Sequence, residues 1–246
     1  MPLDRDISRE QVRGFVHDLR EAIAASLADA EGYMPLIRSF ERIGRHIRYL
    51  KTGPPIGHLT LARLRDDLAL IVAQSSADRE RLRALFDLIL DARNHAVHQG
   101  GAARQLRSWG VTYALALQEG LLANLDEVRA EDVMVTNVIV AESWHLLRDV
   151  RSAMLANSFS WIPVRLDGKW WLLPDVAIAR ILLSAAPAER RSALDSSVAD
   201  AREYLREAVK VPPTIRRAEL PILQDPLLVV DAEDHLLGII TAYDLL

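Results

Sequence analysis

No cysteine occurs in the 246 residues, which excludes disulfides, thiolate nucleophiles and cysteine-held zinc or iron–sulfur centres. Lysine is nearly absent too: Lys51, Lys169 and Lys210 stand among 30 cationic residues, the rest arginine, a bias read as GC-rich coding rather than phosphate-binding design. No run of eighteen apolar residues is present, so no membrane-spanning helix is expected. The opening MPLDRDISRE lacks the apolar stretch of a secretory signal, and the expected location is cytoplasmic. A formal charge of −4 offers nucleic acid no global attraction, so any RNA contact requires a local patch. What the chain does have is length for two domains and 50% apolar residues to build their cores.

The most informative stretch is Leu236 to Leu246, LLGIITAYDLL. The apolar residues Leu236, Leu237, Ile239 and Ile240 read as a short buried strand, and Thr241 and Asp244 open a helix. Thr241 can offer its hydroxyl to a phosphate, and the acceptor-only carboxylate of Asp244 suits a pair of ribose hydroxyls. An N-cap threonine with an acidic first turn is the plain structural alternative. A string of this kind arises by chance roughly once in a thousand chains of this length, given ordinary residue usage. It resembles the closing strand and helix of a CBS domain: apolar strand, Gly, two apolar residues, Ser or Thr, two variable positions, Asp.

CBS domains come as tandem pairs, and Asp132 to Leu182 resembles a complete first repeat. Asp132, Val133 and Met134 precede an expected strand over Val138 to Val140. Glu142 and Ser143 then cap a helix carrying Leu147, Val150, Met154 and Leu155. FSWIPV (Phe159 to Val164) carries the family's apolar-Pro-Val signature and leads through a turn at Asp167 and Gly168 to a strand over Lys169 to Leu173. At the binding positions this repeat departs from the pattern: Asp175 stands where Ser or Thr is expected and Ile178 where the ribose-binding Asp is expected. Its site is therefore expected to be empty or altered in specificity, and Trp170 and Trp171 to be core or interface residues.

The second repeat has the opposite defect. Its end is intact, but VPPT (Val211 to Thr214) and IRRAELPILQ (Ile215 to Gln224) must supply the opening strand and helix across three prolines. Pro226 to Asp231 supplies the middle strand, and the last helix has barely begun at Leu246. Between the repeats, Leu194, Val198, Ala201, Leu205 and Val209 have helical spacing and predict a connecting helix. The resulting division is 129–185 for repeat one, 186–210 for the connecting helix and 211–246 for repeat two, eroded at its start and short at its end.

Residues 1–128 lack strand patterning. Helices are expected over Arg9 to Ala28, Tyr33 to Leu50, Leu59 to Gln74, Asp78 to His98 and Ala102 to Leu125, with breaks at Asp29 to Gly32, Thr52 to Gly57, Ser75 to Ala77 and Gly100–Gly101. Five helices with short connections predict an antiparallel bundle. The fold class expected is therefore two domains, an all-α bundle followed by an α/β pair, with the boundary near Arg129.

The end of the fourth expected helix reads DARNHAVHQGG, Asp91 to Gly101. Arg93, Asn94 and His98 resemble the R-N-x-x-x-H motif of the HEPN superfamily, helical domains that include metal-independent ribonucleases and many non-catalytic members. The bare Arg-to-His spacing is expected by chance about 0.8 times in such a chain. The adjacent Asn, the helix end and the following glycines carry the resemblance. For an RNA-cleaving member it implies that His98 moves the proton of a 2′-hydroxyl while Arg93 stabilises the phosphorane charge. On an unbroken helix positions 93 and 98 lie roughly 140° apart, so either the helix unwinds near Gln99 or a second chain completes the site; the resemblance implies the second, since HEPN sites typically form across a two-fold dimer. The alternative is that Arg93 and His98 merely favour a helix C-terminus. His95 reads as solvated surface, and His17, His46, His58, His145 and His235 show no ligand spacing; no metal site and no required cofactor is expected. Arg79, Arg81, Arg83, Arg104 and Arg107 read as a salt-bridged surface more than an RNA track, because Asp78, Glu80, Asp87 and Asp91 lie among them.

Two functional readings follow. In one, the CBS pair senses AMP, ADP, ATP or S-adenosylmethionine and regulates a ribonuclease in a homodimer that meets RNA. In the other, the protein is a non-catalytic regulatory or scaffold protein whose bundle mediates dimerisation or partner binding.

Overall fold

The computed structural model describes residues 7–29, 32–54, 59–72, 76–96, 100–222 and 224–245. The chain divides into two compact units, Met1–Val128 and Arg129–Leu246.

The first unit is helical: α1 Arg9–Ala28, α2 Met34–Thr52, α3 Arg65–Val72, α4 Ser76–Ala96 and α5 Gly100–Ala123. Helix α1 starts where Ser8 and Gln11 cap each other reciprocally, the Ser8 hydroxyl accepting from the Gln11 N–H and the Gln11 amide oxygen from the Ser8 N–H. The third helix departs from expectation. Residues Leu61–Leu64 form a 3₁₀ turn before α3, with Thr60 taking an extended conformation ahead of it. The expected break at Gly100–Gly101 is also displaced, since both glycines lie in the first turn of α5, where N–H groups have no intrahelical acceptor to lose. The core centres on Phe40 from α2, Phe86 from α4 and Tyr113 from α5, whose rings lie 5.1–6.3 Å apart. Beneath them α2 and α3 are tied by a buried carboxylate: Asp67 accepts from Arg48 at 2.5 Å and from Lys51 at 2.9 Å.

The second unit contains two mixed sheets. The first is ordered β1 (Ala141–Glu142), β2 (Trp161–Leu166), β3 (Lys169–Pro174), β4 (Arg206–Glu207); the second is β5 (Val209–Val211), β6 (Leu227–Val230), β7 (Leu236–Ile240). In each, a parallel pair (β1 with β2, β5 with β6) is followed by an antiparallel one. Short helices α6 (Ala130–Val133), α7 (Leu147–Asn157), α8 (Asp175–Ser184) and α9 (Arg190–Leu194) complete the unit. The β2–β3 hairpin turns on Asp167 and Gly168, both at positive φ (51° and 72°), the pairing a type I′ turn requires.

Several expected elements are corrected. The opening strand of repeat one is Ala141–Glu142, not Val138 to Val140. Leu155 of α7 is exposed, while Leu147, Val150 and Met154 face the core. The connecting helix expected over 186–210 is absent. Only α9 and a 3₁₀ turn at Ala199–Tyr204 are helical; turns and bends flank α9, and the chain becomes extended at β4 and β5. The cause is local: Ser197 and Asp200 cap one another, the Ser197 N–H donating to Asp200 at 2.9 Å and the Asp200 N–H to the Ser197 hydroxyl at 3.2 Å, which starts a new turn. Nearby N–H groups of Val198 and Ala199 donate to the carbonyls of His145 and Ser143 instead of continuing a helix. In repeat two the opening strand is β5, and the proline-broken stretch expected as a helix holds only a 3₁₀ turn at Arg217–Glu219.

The repeats exchange their leading segments. Val135, in the leading segment of repeat one, bridges to Ile239 in β7 of repeat two, with N–H to carbonyl distances of 2.8 and 3.0 Å. Reciprocally, β4, ahead of repeat two, pairs with β3 of repeat one. An apolar layer of Trp170, Leu172, Ala208, Leu228 and Val230 joins the two sheets face to face.

Candidate functional site

Thr241 leaves β7 into a 3₁₀ turn, Ala242–Leu245. The structure brings Thr241 and Asp244 together: one carboxylate oxygen of Asp244 accepts both the Thr241 N–H at 2.7 Å and the Thr241 hydroxyl at 2.8 Å. A hydroxyl and an acceptor carboxylate are thereby presented as one polar unit at the end of the half-buried strand β7. Its placement follows from Gly238. A Cβ on that residue would stand 2.7 Å from the Met134 sulfur and 2.8 Å from the Val135 carbonyl oxygen, so the leading segment of repeat one lies directly on β7.

Side chains alternate along a strand, which puts Thr241 on the side of Ile239 and Arg206 on the side of Ala208. Ile239, Ala208 and Trp161 all pack in the layer between the sheets. The Arg206 guanidinium lies 5.3 Å from the centre of the Trp161 ring and 2.5 Å from the Asp225 carboxylate. Asp225 precedes β6, whose first residue Leu227 pairs with Ile240, next to Thr241. Thr241, Asp225, Arg206 and Trp161 therefore gather at one end of the interface between the sheets. At the opposite end Asp234 accepts from Arg165 and from Lys210, each at 2.8 Å, and these cations hold its carboxyl below the usual carboxylate range, Lys210 contributing most. The Trp170 indole N–H donates to the Asp234 carbonyl at 3.0 Å, so that tryptophan is a structural residue of the interface.

The corresponding position in repeat one is built differently. Asp175 begins α8, and Ile178 is buried in the repeat's core beside Met154 and Leu173. A cleft of about 460 Å³ opens between α7 and α8, lined by Met154, Phe159, Ile178 and Leu182 with Arg151 and Asp175.

In the helical unit, Arg93 lies half-buried and Asn94 exposed in the last turn of α4. His98, the third residue of the motif, lies outside the described residues. His95 is exposed, its Nδ1 2.8 Å from the Asp91 carbonyl oxygen. Ion pairs cross the neighbouring surface: Arg83 meets Asp66 at 2.9 Å and Arg65 meets Asp87 at 3.0 Å.

No family model matches this chain, and no curated protein is similar to it in sequence. Solved structures of CBS-domain proteins do resemble part of it. One is a CBS domain-containing protein from Bacillus anthracis, at 17% identity over 48% of this chain and 89% of that one, with a TM-score of 0.41. Another is protein MJ1225 from Methanocaldococcus jannaschii, at 25% identity over 53% of this chain and 51% of that one, also with a TM-score of 0.41. A third is CBSX2, from Arabidopsis thaliana, in complex with AMP, at 17% identity over 48% of this chain and 93% of that one, with a TM-score of 0.39.

The sequence pattern singled out Thr241 and Asp244, which the structure joins by hydrogen bonds, but not Trp161, Arg206 and Asp225, whose meeting depends on strand exchange. The one available signal was the alternation of Arg206, Ala208 and Lys210 through a stretch that helical spacing also fitted. Among the described residues no helix is long and apolar enough to cross a membrane. Asp231, Glu233 and His235 come within 4.8 Å of one another, but Asp231 is engaged by the N–H groups of Glu233 and His235 and by the His235 ring, the hydrogen bonding of a tight turn.

Proposed function

We propose that the second unit is a CBS pair that binds an adenine nucleotide at Thr241 and Asp244, and that its occupancy controls what the helical unit does. The observation that carries this reading is the Thr241–Asp244 pair at the end of β7, positioned by Gly238 beneath the leading segment of the other repeat. Reciprocal exchange of Val135 and β4 between the repeats supports a paired module in which ligand at one repeat is felt by the other. No metal or other cofactor is required by this chemistry. The reading has one working nucleotide site, because Ile178 is committed to the core of repeat one.

Titration of the full chain with ATP and AMP tests it. Micromolar binding that Thr241→Val and Asp244→Ala each weaken supports the site; a folded chain that takes up neither nucleotide rejects it.

For the helical unit, the exposure of Asn94 beside Arg93 at the end of α4 favours the HEPN reading, in which Arg93, Asn94 and His98 of a homodimer cleave RNA without metal. Cleavage of a structured RNA that disappears in His98→Ala supports catalysis. Absence of cleavage, with and without nucleotide, leaves the bundle as a dimerisation or partner-binding element.

A further inference from the structure

We infer that Arg206 is the phosphate-binding residue of the Thr241 site and that Asp225 is the carboxylate which occupies it until a phosphate takes its place. The inference rests on the nucleotide reading and narrows its ligand to phosphate-bearing nucleosides, setting S-adenosylmethionine aside.

Three observations place Arg206 there. Strand β4 continues through Ala208 into β5, the Ala208 N–H donating to the Trp170 carbonyl at 3.3 Å. Val209 is paired with Leu227, and Leu227 with Ile240, so Arg206 extends roughly 10 Å beyond the end of the second sheet from which Thr241 emerges. Its face is the inter-sheet face, as its contact with Trp161 shows. Finally, Asp225 stands in the bend just ahead of β6, the strand between β5 and β7, and its pairing with Arg206 spans that end of the sheet.

The chemistry suits exchange. A guanidinium presents a planar fork of donors that matches a phosphate as well as a carboxylate, and stacking on an indole leaves its edge N–H groups available. The Arg206 side chain is 48% exposed and that of Asp225 28%, so an incoming anion reaches the pair without unfolding the strand. Asp244 then holds the ribose hydroxyls, while Arg206 joins the Thr241 hydroxyl on the phosphate. Asp225 competes with every phosphate and sets the threshold concentration of nucleotide.

Calorimetric titration of the full chain with ATP and with adenosine tests this. Arg206→Gln is expected to weaken ATP binding about tenfold or more, as loss of a charge-assisted contact does, with adenosine binding changed less than about twofold. Arg206→Lys keeps the charge and is expected to retain most of the ATP affinity. Asp225→Asn frees the guanidinium and is expected to tighten ATP binding several-fold. Unchanged ATP affinity in Arg206→Gln overturns the inference and leaves the nucleotide reading standing. Equal weakening of ATP and adenosine also overturns it, since Arg206 then acts through Trp161. A folded wild-type chain that binds neither compound overturns the reading and the inference together.

Discussion

Replacing Gly238 by alanine tests the geometry on which the candidate site depends. The added methyl group would lie 2.7 Å from the Met134 sulfur, 2.8 Å from its Cγ and 2.8 Å from the Val135 carbonyl oxygen. The methionine can rotate away, but the carbonyl cannot, because it accepts the Ile239 N–H at 3.0 Å and the Val135 N–H donates back at 2.8 Å. Relief therefore requires β7 and the leading segment to part by about half an ångström, and overpacking of this kind costs about 1–3 kcal/mol. Loss of glycine from the unfolded chain returns about 0.4–1 kcal/mol. The net expectation is a destabilisation of about 1–2 kcal/mol, or a fall of about 4–8 °C in the melting midpoint of a unit this size. Differential scanning calorimetry measures it, and a double-mutant cycle with Met134→Ala divides the cost between the side chain and the carbonyl. The methionine change should recover part of the loss and never all of it. Nucleotide affinity should fall in parallel, because the same shift moves Thr241. A Gly238→Ala chain as stable as the wild type would refute the close approach of the two repeats.

Asp67→Ala removes the buried carboxylate shared by Arg48 and Lys51, both of which keep access to solvent, and chemical denaturation should show a loss of about 1–3 kcal/mol, the range for hydrogen bonds to a charged group. Tyr113→Phe should stabilise the bundle by about 1 kcal/mol, because the Tyr113 hydroxyl is fully buried with no hydrogen-bond partner among the described residues; a thermal midpoint below that of the wild type would assign the hydroxyl a bond. The Asp234 carboxyl, lowered by Lys210 and Arg165, contributes stability that is fully present above the unfolded carboxylate value near 3.9 and is lost as pH falls through its lower folded value. The stability gap between wild type and Asp234→Asn should accordingly be widest near neutral pH and close in strong acid.

What could be read from the sequence was local. The Gly238-to-Asp244 string, the Asp167–Gly168 turn and the amphipathic helices of the bundle each specify structure within about ten residues, where spacing and turn chemistry decide the outcome. The expected helix over 186–210 failed for the same reason. Leu194, Val198, Ala201, Leu205 and Val209 satisfy helical spacing, but Ser197 and Asp200 hydrogen-bond locally and the Ala208 N–H finds its partner in β3. No local pattern states that a segment will pair with the preceding repeat. Asp67 escaped notice likewise, since a carboxylate in the first turn of a helix looks ordinary until α2 brings Arg48 and Lys51 over it.

On the proposed nucleotide reading, the two repeats differ in what their ends offer a ligand. In repeat one, the position of Asp244 is taken by Ile178, buried at 3% exposure with Val150, Leu173 and Ala201, so its α8 is fastened to the sheet by apolar contact. In repeat two, β7 runs into a 3₁₀ turn whose Thr241 N–H and hydroxyl both donate to Asp244. An ordering ligand can act only on an element that is not already fixed, and here that element is the polar turn. Ile239 bridges to Val135, two residues after α6, so on the proposed reading a shift at Thr241 would be felt at the start of the second unit. Hydrogen exchange with and without ATP should therefore show protection at two places, 239–245 and 130–136, and protection confined to the first would mean that binding stops at repeat two.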